Sequence, residues 1–238
     1  MKNKSYIGIS FIILVFGILT IPKIVDRIKN EDVVKNDRLN VVQGKQSDLF
    51  TVGKAPFFRL TNQDGKTITH EFYKGKVYVV EFFFATCPSI CPVMNQNMLY
   101  IQESYNAYKD FGIASITIDP ANDTAQALKA HAQQLGAVSP NWNFLTGDKD
   151  YIYKLANKGF KIYAGENKQA AGGFEHSGLF ALIDKYGNIR CRTKNGNPIM
   201  YYSGLNYADK DGMEEDLSGK YRPGVEALKE DIKKLLEE

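Results

Sequence analysis

The sequence predicts an α/β fold, a three-layer sandwich with a mixed central sheet, from three observations. Strand-length apolar runs alternate with stretches of helical spacing, the order expected of helices packed on a largely parallel sheet. A turn signal between two short β-prone runs opens the domain, and a second hairpin followed by one amphipathic helix closes it. Hydrophobic residues make up 44% and charged residues 24% of the 238, so a sizeable core is affordable and wholesale disorder is excluded. The formal charge of +3 is too small to indicate a nucleic-acid partner.

Residues 57–60 and 67–69 flank Asn62-Gln63-Asp64-Gly65, an Asx/Gly turn, and give the N-terminal β-hairpin of a domain that begins near Gly53. Residues 76–84 are almost continuously apolar and aromatic, as a central strand buried on both faces requires. From 88 to 108, Met94, Met98, Ile101, Tyr105 and Tyr108 recur at steps of three and four, which is helical. Residues 113–118 form a second buried strand ending at Asp119-Pro120. Asp123-Thr124 then starts a helix through Leu128, His131 and Leu135 that Gly136 closes. A short strand at 142–145, a helix at 148–157, a hairpin over 177–192 turning at 185–188, and a helix at 225–236 complete the order. Residues 195–222 carry Gly, Pro, Asn, Asp and Tyr without clear periodicity and are expected as an insertion before the last helix.

The N-terminus has a different character. Between Lys4 and Lys23 lie 18 uncharged residues with an apolar centre, within the range that crosses a bilayer as a helix. Leu19-Thr20-Ile21-Pro22 offers no small-residue cleavage site, and no cysteine is present there for lipid attachment. Residues 1–22 are therefore expected to be a retained single-pass anchor, 23–50 a polar tether, and 51–238 the folded domain. Lys2 and Lys4 on one side nearly balance Lys23, Arg27 and Lys29 on the other, so charge does not orient the segment. A single N-terminal anchor most often leaves its domain outside the cytoplasm, where thiols can be oxidised. The expected location is the periplasmic side of the inner membrane.

Three cysteines are too few for a disulfide scaffold. Two of them, in Cys87-Pro-Ser-Ile-Cys91-Pro, stand four apart at the strand-to-helix junction, so both thiols can lie on one face near a helix N-terminus that favours thiolate. Thiolates bind soft metals and attack disulfides, and the residues leave both chemistries open. Three intervening residues make the pair wider than a thioredoxin-type redox motif, and no second local Cys or His pair supplies a tetrahedral zinc site. Two thiolates with one imidazole suit copper(I). Of the three histidines, His70 at the end of the first hairpin and His131 inside an amphipathic helix suit packed or solvent-facing roles. His176, in Gly172-Gly-Phe-Glu-His-Ser-Gly178, precedes a strand that in a thioredoxin-like sheet would neighbour the strand ending at Cys87. No proline lies between Pro140 and Pro198, so the loop lacks the proline that thioredoxins carry there.

Taken together, these residues resemble the Sco/SenC family of membrane-anchored, thioredoxin-like proteins. The likeness spans about 53–188 and the last helix. It includes Pro56-Phe-Phe-Arg-Leu60 with Asp64-Gly65, residues 82–92 around the cysteines, Ile118-Asp-Pro120 with Asp123-Thr124, Trp142-Asn-Phe-Leu-Thr-Gly147, and His176-Ser177 before Leu182-Ile-Asp184. The resemblance implies that Cys87, Cys91 and His176 bind copper(I) or copper(II). It also implies that the protein serves copper assembly of cytochrome c oxidase, with subunit II or another copper protein as acceptor. Either it is a metallochaperone delivering to the copper A site, or a thiol-disulfide oxidoreductase in which Cys87 and Cys91 are the redox pair reducing the acceptor's cysteines. Asn122 and Ala125 stand where the family often has Arg and Pro, and Glu175 precedes the histidine where Asp is common. Glu175 is expected to orient or tune the imidazole. Asp119 is expected either near the site or in a turn, and Cys191 as a lone packed thiol.

Overall fold

The computed structural model describes residues 14–16, 18, 20–22, 47–194, 196–205, 213–215 and 221–238. Two compact units are present, 1–44 and 45–238. In the first, the described positions are helical, and Thr20 Oγ1 donates to the Phe16 carbonyl at 2.7 Å. The expected anchor lies largely outside the described residues. No helix among those described is long and apolar enough to cross a membrane.

The second unit holds, in chain order, β1 (Phe50–Lys54), β2 (Arg59–Asn62), β3 (Thr67–Thr69), β4 (Val77–Phe83), α1 (Cys91–Tyr105), β5 (Phe111–Thr117), α2 (Ala125–Leu135), β6 (Trp142–Thr146) and α3 (Lys149–Lys154). There follow β7 (Ala164–Glu166), β8 (Phe174–His176), β9 (Leu179–Ile183), β10 (Asn188–Cys191), β11 (Thr193–Lys194), β12 (Asn197–Pro198), β13 (Tyr202–Ser203), β14 (Met213–Glu215), β15 (Tyr221–Pro223) and α4 (Gly224–Glu237). The main sheet runs β1-β10-β9-β4-β5-β6-β2-β3, with β13 also pairing β9. Strands β4, β5 and β6 are mutually parallel and the other pairings antiparallel, which is the expected mixed sheet.

All seven residues of β4 and all seven of β5 are buried, as strands covered on both faces must be. Successive right-handed crossovers through α1 and α2 put both helices on one face. Alternation along β4 makes the two layers visible: Phe83 stacks on His131 of α2 at 5.5 Å, whereas its neighbour Phe82 meets Phe160, beyond α3, edge-on at 5.9 Å. Helix α4 lies against α1, where Tyr100 donates to Glu226 Oε1 at 2.6 Å and Tyr105 to the Lys229 carbonyl at 2.5 Å.

Several expected boundaries shift for physical reasons. The cysteine helix starts at Cys91 and not near 88, because a helix begun at Pro88 would require an N–H at position 92, and Pro92 has none. Pro92 instead occupies the first turn, where its missing donor costs nothing. The helix expected over 148–157 is capped by Asp148, which accepts from Tyr151 N, and at Leu155–Phe160 it widens into a π-helical turn. The stretch expected as an insertion, 195–222, includes β13, whose Tyr202 is fully buried and donates to Asp231 Oδ2 at 2.8 Å. A two-residue strand is too short to show a period.

Both ends of this unit meet at one buried cation. Arg190 on β10 is bonded to Asp184 Oδ2 at 3.0 Å, the Leu49 carbonyl at 3.0 Å and Ser47 Oγ at 3.1 Å, and it pairs with Glu238 at 3.4 Å. Replacing Arg190 with Met strands the buried Asp184 charge and is expected to lower the unfolding free energy by about 3–5 kcal/mol. Urea denaturation of the variant tests this; a loss under about 1 kcal/mol would show that the cluster is not a structural keystone.

Candidate metal centre

The site forms where β4 leaves the sheet. Ile118 N still bonds the Phe83 carbonyl at 2.8 Å, but beyond Phe83 the ladder with β5 ends. Asp123, itself buried, takes over. Its Oδ2 accepts from Ala85 N at 3.0 Å and from the Thr117 hydroxyl at 2.5 Å, so one carboxylate oxygen ties the departing loop to the end of β5. Burial pushes the Asp123 carboxyl above its ordinary range. Two residues further on, Cys87 N bonds the Phe84 carbonyl at 3.2 Å, closing a turn that carries Cys87 towards the head of α1.

Cys91 opens α1, and its Sγ lies 3.3 Å from Nε2 of His176. Cys87 Sγ is 3.6 Å from Ser89 Oγ. The donor atoms of Cys87, Cys91 and His176 all lie within 4.8 Å of one another, the one such cluster of three or more among the described residues. The histidine arrives from the other limb. Alternation along β8 turns His176 inward, 7% exposed, and Glu175 outward, where it accepts from Asn167 Nδ2 at 3.0 Å. Glu175 therefore does not orient the imidazole, whose Nδ1 is buried without a protein partner. Phe84 stands edge-on to the ring at 6.2 Å and packs on Phe174 at 5.3 Å. A cavity of 210 Å³ opens onto Cys87 and His176 between Ser89 and Ile90 on one wall and Asn167 and Phe174 on the other. Its loop wall comes so close that a Cβ on Gly172, at φ +83°, would fall 2.7 Å from the Phe84 ring.

The thiols are electrostatically unequal. Hydrogen bonding from Cys91, and then from His176, holds the Cys87 thiol far below the ordinary thiol range despite its burial. Cys91, the donor to Cys87 and itself buried, is pushed far up. The pair is thus polarised, the proton favoured on Cys91 and the negative charge on Cys87. Two sulfurs and one imidazole nitrogen, enclosed apart from one open side, are a soft donor set that fits copper.

The other residues singled out in the sequence fall elsewhere. His70 packs on Phe57, with ring centroids 4.4 Å apart, and lies 3.2 Å from Glu71. His131 sits between Phe83 and Phe144, and burial lowers its pKa. Asp119 serves a turn, accepting from Asn122 Nδ2 at 2.8 Å and, through its carbonyl, from the amides of Asn122 and Asp123. Cys191 is fully buried on β10 and free. One group was not anticipated: Glu81, fully buried on the α1 face of β4, accepts from the Ser115 hydroxyl at 2.6 Å. Burial raises its pKa to about 7, and its charge adds to the forces that raise Cys91. The available signal was an acid inside the apolar run 76–84.

Two tests follow from this geometry. Replacing Asp123 with Ala leaves the Ala85 amide and the Thr117 hydroxyl without an acceptor and is expected to cost about 1.5–3 kcal/mol in urea unfolding; a cost under about 0.5 kcal/mol would show that the tie is dispensable. With its thiol held far below the ordinary range, Cys87 should be alkylated by iodoacetamide ahead of Cys91, at a rate nearly flat from pH 8 to 6. An ordinary thiol loses about tenfold per pH unit below its pKa. Peptide mapping that finds that ordinary slope at Cys87 would refute the assignment.

The SCO1/SenC family model matches residues 47–201. A SCO1 protein homolog of Bacillus subtilis (strain 168) is 34% identical over 134 residues, covering 56% of this chain and 69% of that protein. A SCO2-like protein of Rickettsia conorii is 33% identical over 134 residues, 55% of this chain and 64% of its own length. Among solved structures, a SCO1/SenC family lipoprotein from Bacillus anthracis str. Ames superposes with a TM-score of 0.62 at 29% identity, covering 77% of this chain and 95% of that one. BsSco, described as a member of the Sco family of cytochrome c oxidase assembly proteins with a disulfide switch, superposes with a TM-score of 0.59 at 26% identity, over 78% and 95%. With the family model spanning most of the folded unit and its relatives sharing the thioredoxin-like sheet, the chain belongs to the SCO1/SenC family.

Proposed function

We propose that this protein is a membrane-anchored copper carrier that delivers copper to the copper A site of cytochrome c oxidase subunit II. The observation that carries the reading is the convergence of Cys87, Cys91 and His176 from two separate limbs of the fold. The family's association with cytochrome c oxidase assembly, stated for BsSco, supports the destination. Copper is the cargo. Cys87, the more acidic thiol, supplies the first sulfur; Cys91 gives up its proton to supply the second; His176 Nε2 adds the nitrogen that copper(II) favours. All three side chains are nearly buried, so an acceptor ligand has to enter through the cavity beside Cys87, the most exposed of them at 8%. Release is then ligand exchange, without turnover. Residues 1–22 are proposed as the single-pass anchor in the inner membrane, with the folded unit on the periplasmic side.

The unequal thiols also favour a second reading, a thiol-disulfide oxidoreductase that reduces the acceptor's cysteines. The Cys87 thiolate would attack one sulfur of the partner's disulfide, breaking that bond and forming a mixed disulfide. Cys91 would then attack Cys87 Sγ, forming the Cys87–Cys91 disulfide and releasing the partner sulfur that Cys87 had attacked, the other having left as thiolate when the mixed disulfide formed. The Cys91 proton passes to the departing partner thiolate, and two electrons have moved from the pair to the partner.

Titration of the reduced protein with copper(I) and copper(II), read by stoichiometry and thiolate-to-copper charge transfer, separates the two. One copper per chain is expected, and no binding would leave only the oxidoreductase. In the same titration His176→Ala is expected to weaken copper(II) binding by at least about tenfold while the cysteine pair stays reducible; unchanged affinity would remove His176 from the ligand set.

A further inference from the structure

Asn157 lies in the π-helical turn Leu155–Phe160, a widened helical geometry frequent at functional sites. Its carboxamide reaches across to β7. Oδ1 accepts from Ala164 N at 3.2 Å, while Nδ2 donates to the Ala164 carbonyl at 2.7 Å and to the Tyr153 carbonyl at 3.0 Å. Both backbone groups of Ala164 are thereby satisfied as a neighbouring strand would satisfy them, so a single side chain closes the outer edge of the two-stranded β7–β8 ribbon.

Ala164 is paired directly with His176. With its N–H and C=O turned outward to Asn157, Ala164 belongs to a non-hydrogen-bonded pair of the antiparallel ladder, the kind in which facing residues come closest. The adjoining bond, Ser177 N to the Tyr163 carbonyl at 3.2 Å, depends on the same stretch of β7. No protein group holds His176 Nδ1, and Glu175 faces away, so apart from the contact of Nε2 with Cys91 Sγ the direction of the imidazole is inherited from the backbone of β8 and the packing around it. That backbone is held against β7, and β7 against the π-helical turn by Asn157.

We propose that Asn157 is a positioning residue for the metal centre, acting through Ala164 to aim His176 Nε2 at the two cysteine sulfurs. The proposal rests on the copper reading above for its functional meaning, but not for its structural test. In the full-length protein, Asn157→Ala is expected to weaken copper(II) binding about tenfold, the effect typical of groups that orient a ligand. It is also expected to shift the copper(II) hyperfine coupling and the thiolate charge-transfer band at saturation, which a loss of stability alone would leave unmoved. Copper(I) bound by the two sulfurs should keep its stoichiometry. In the metal-free protein, amide hydrogen exchange at Ser177 should accelerate about tenfold as the ribbon opens. Asn157→Asp keeps the acceptor for Ala164 N but gives up both donations. It should fall between the two and carries the test if the alanine variant does not fold. Wild-type spectra together with wild-type exchange in either folded variant would overturn the proposal. If the wild-type protein bound no copper, the carrier reading would fall, and Ser177 exchange alone would decide on Asn157, unchanged protection overturning it.

Discussion

One carboxylate oxygen decides where the chain goes when it leaves the sheet. Strand β4 is paired with β5 up to Phe83 and Thr117 and then has to abandon that partner to reach the head of α1. A backbone amide exposed by such a departure in a buried setting needs an acceptor. Asp123 Oδ2 accepts from Ala85 at the start of the divergence while also holding Thr117 at the end of the strand left behind. The position of Cys87, and with it the spacing to Cys91, follows from that bifurcated contact and from Pro92, which forbids the helix from starting earlier.

The second limb is built by weaker means. The ribbon β7–β8 is only three residues per strand, and it stands apart from the main sheet. Such a ribbon is marginal alone and takes its order from what it is fastened to. The metal centre therefore joins a limb anchored by a buried charge to a limb anchored by neutral amide contacts at a partly exposed edge. This asymmetry places whatever compliance the centre has on the histidine side.

Much of this was legible in the sequence where the signal is long. Residues 76–84 and 113–118 could only be buried strands, the spacing of Met94, Met98 and Ile101 could only be helical, and Thr124 and Gly136 marked the ends of α2, where the structure shows the Thr124 cap and a left-handed Gly136. The cysteine pair was named from residue type and spacing and His176 from its place before a strand of a thioredoxin-like sheet and from the family resemblance, and the structure brings the three together. Features of two or three residues escaped, because periodicity needs several repeats to appear. Strands β7, β8 and β13 are of this kind, and so is the consequence of β8 being a strand: once Phe174, Glu175 and His176 alternate, Glu175 has to point away from the ring it was expected to orient. Asp123 was visible as a helix-start residue, but its hold on Ala85 joins positions 38 apart in the chain, and no local pattern encodes such a pairing.

The third thiol, Cys191, is fully buried on β10, between the flanking strands β1 and β9, with burial raising its pKa. Three thiols in one chain permit three intramolecular disulfides, and exchange among them would scramble any pairing of Cys87 with Cys91. Exchange needs an attacking thiolate with access to a disulfide sulfur. Sequestered and protonated, Cys191 has neither charge nor access, so the folded chain offers one disulfide out of the three, and the sorting is done by the core without any help from the site.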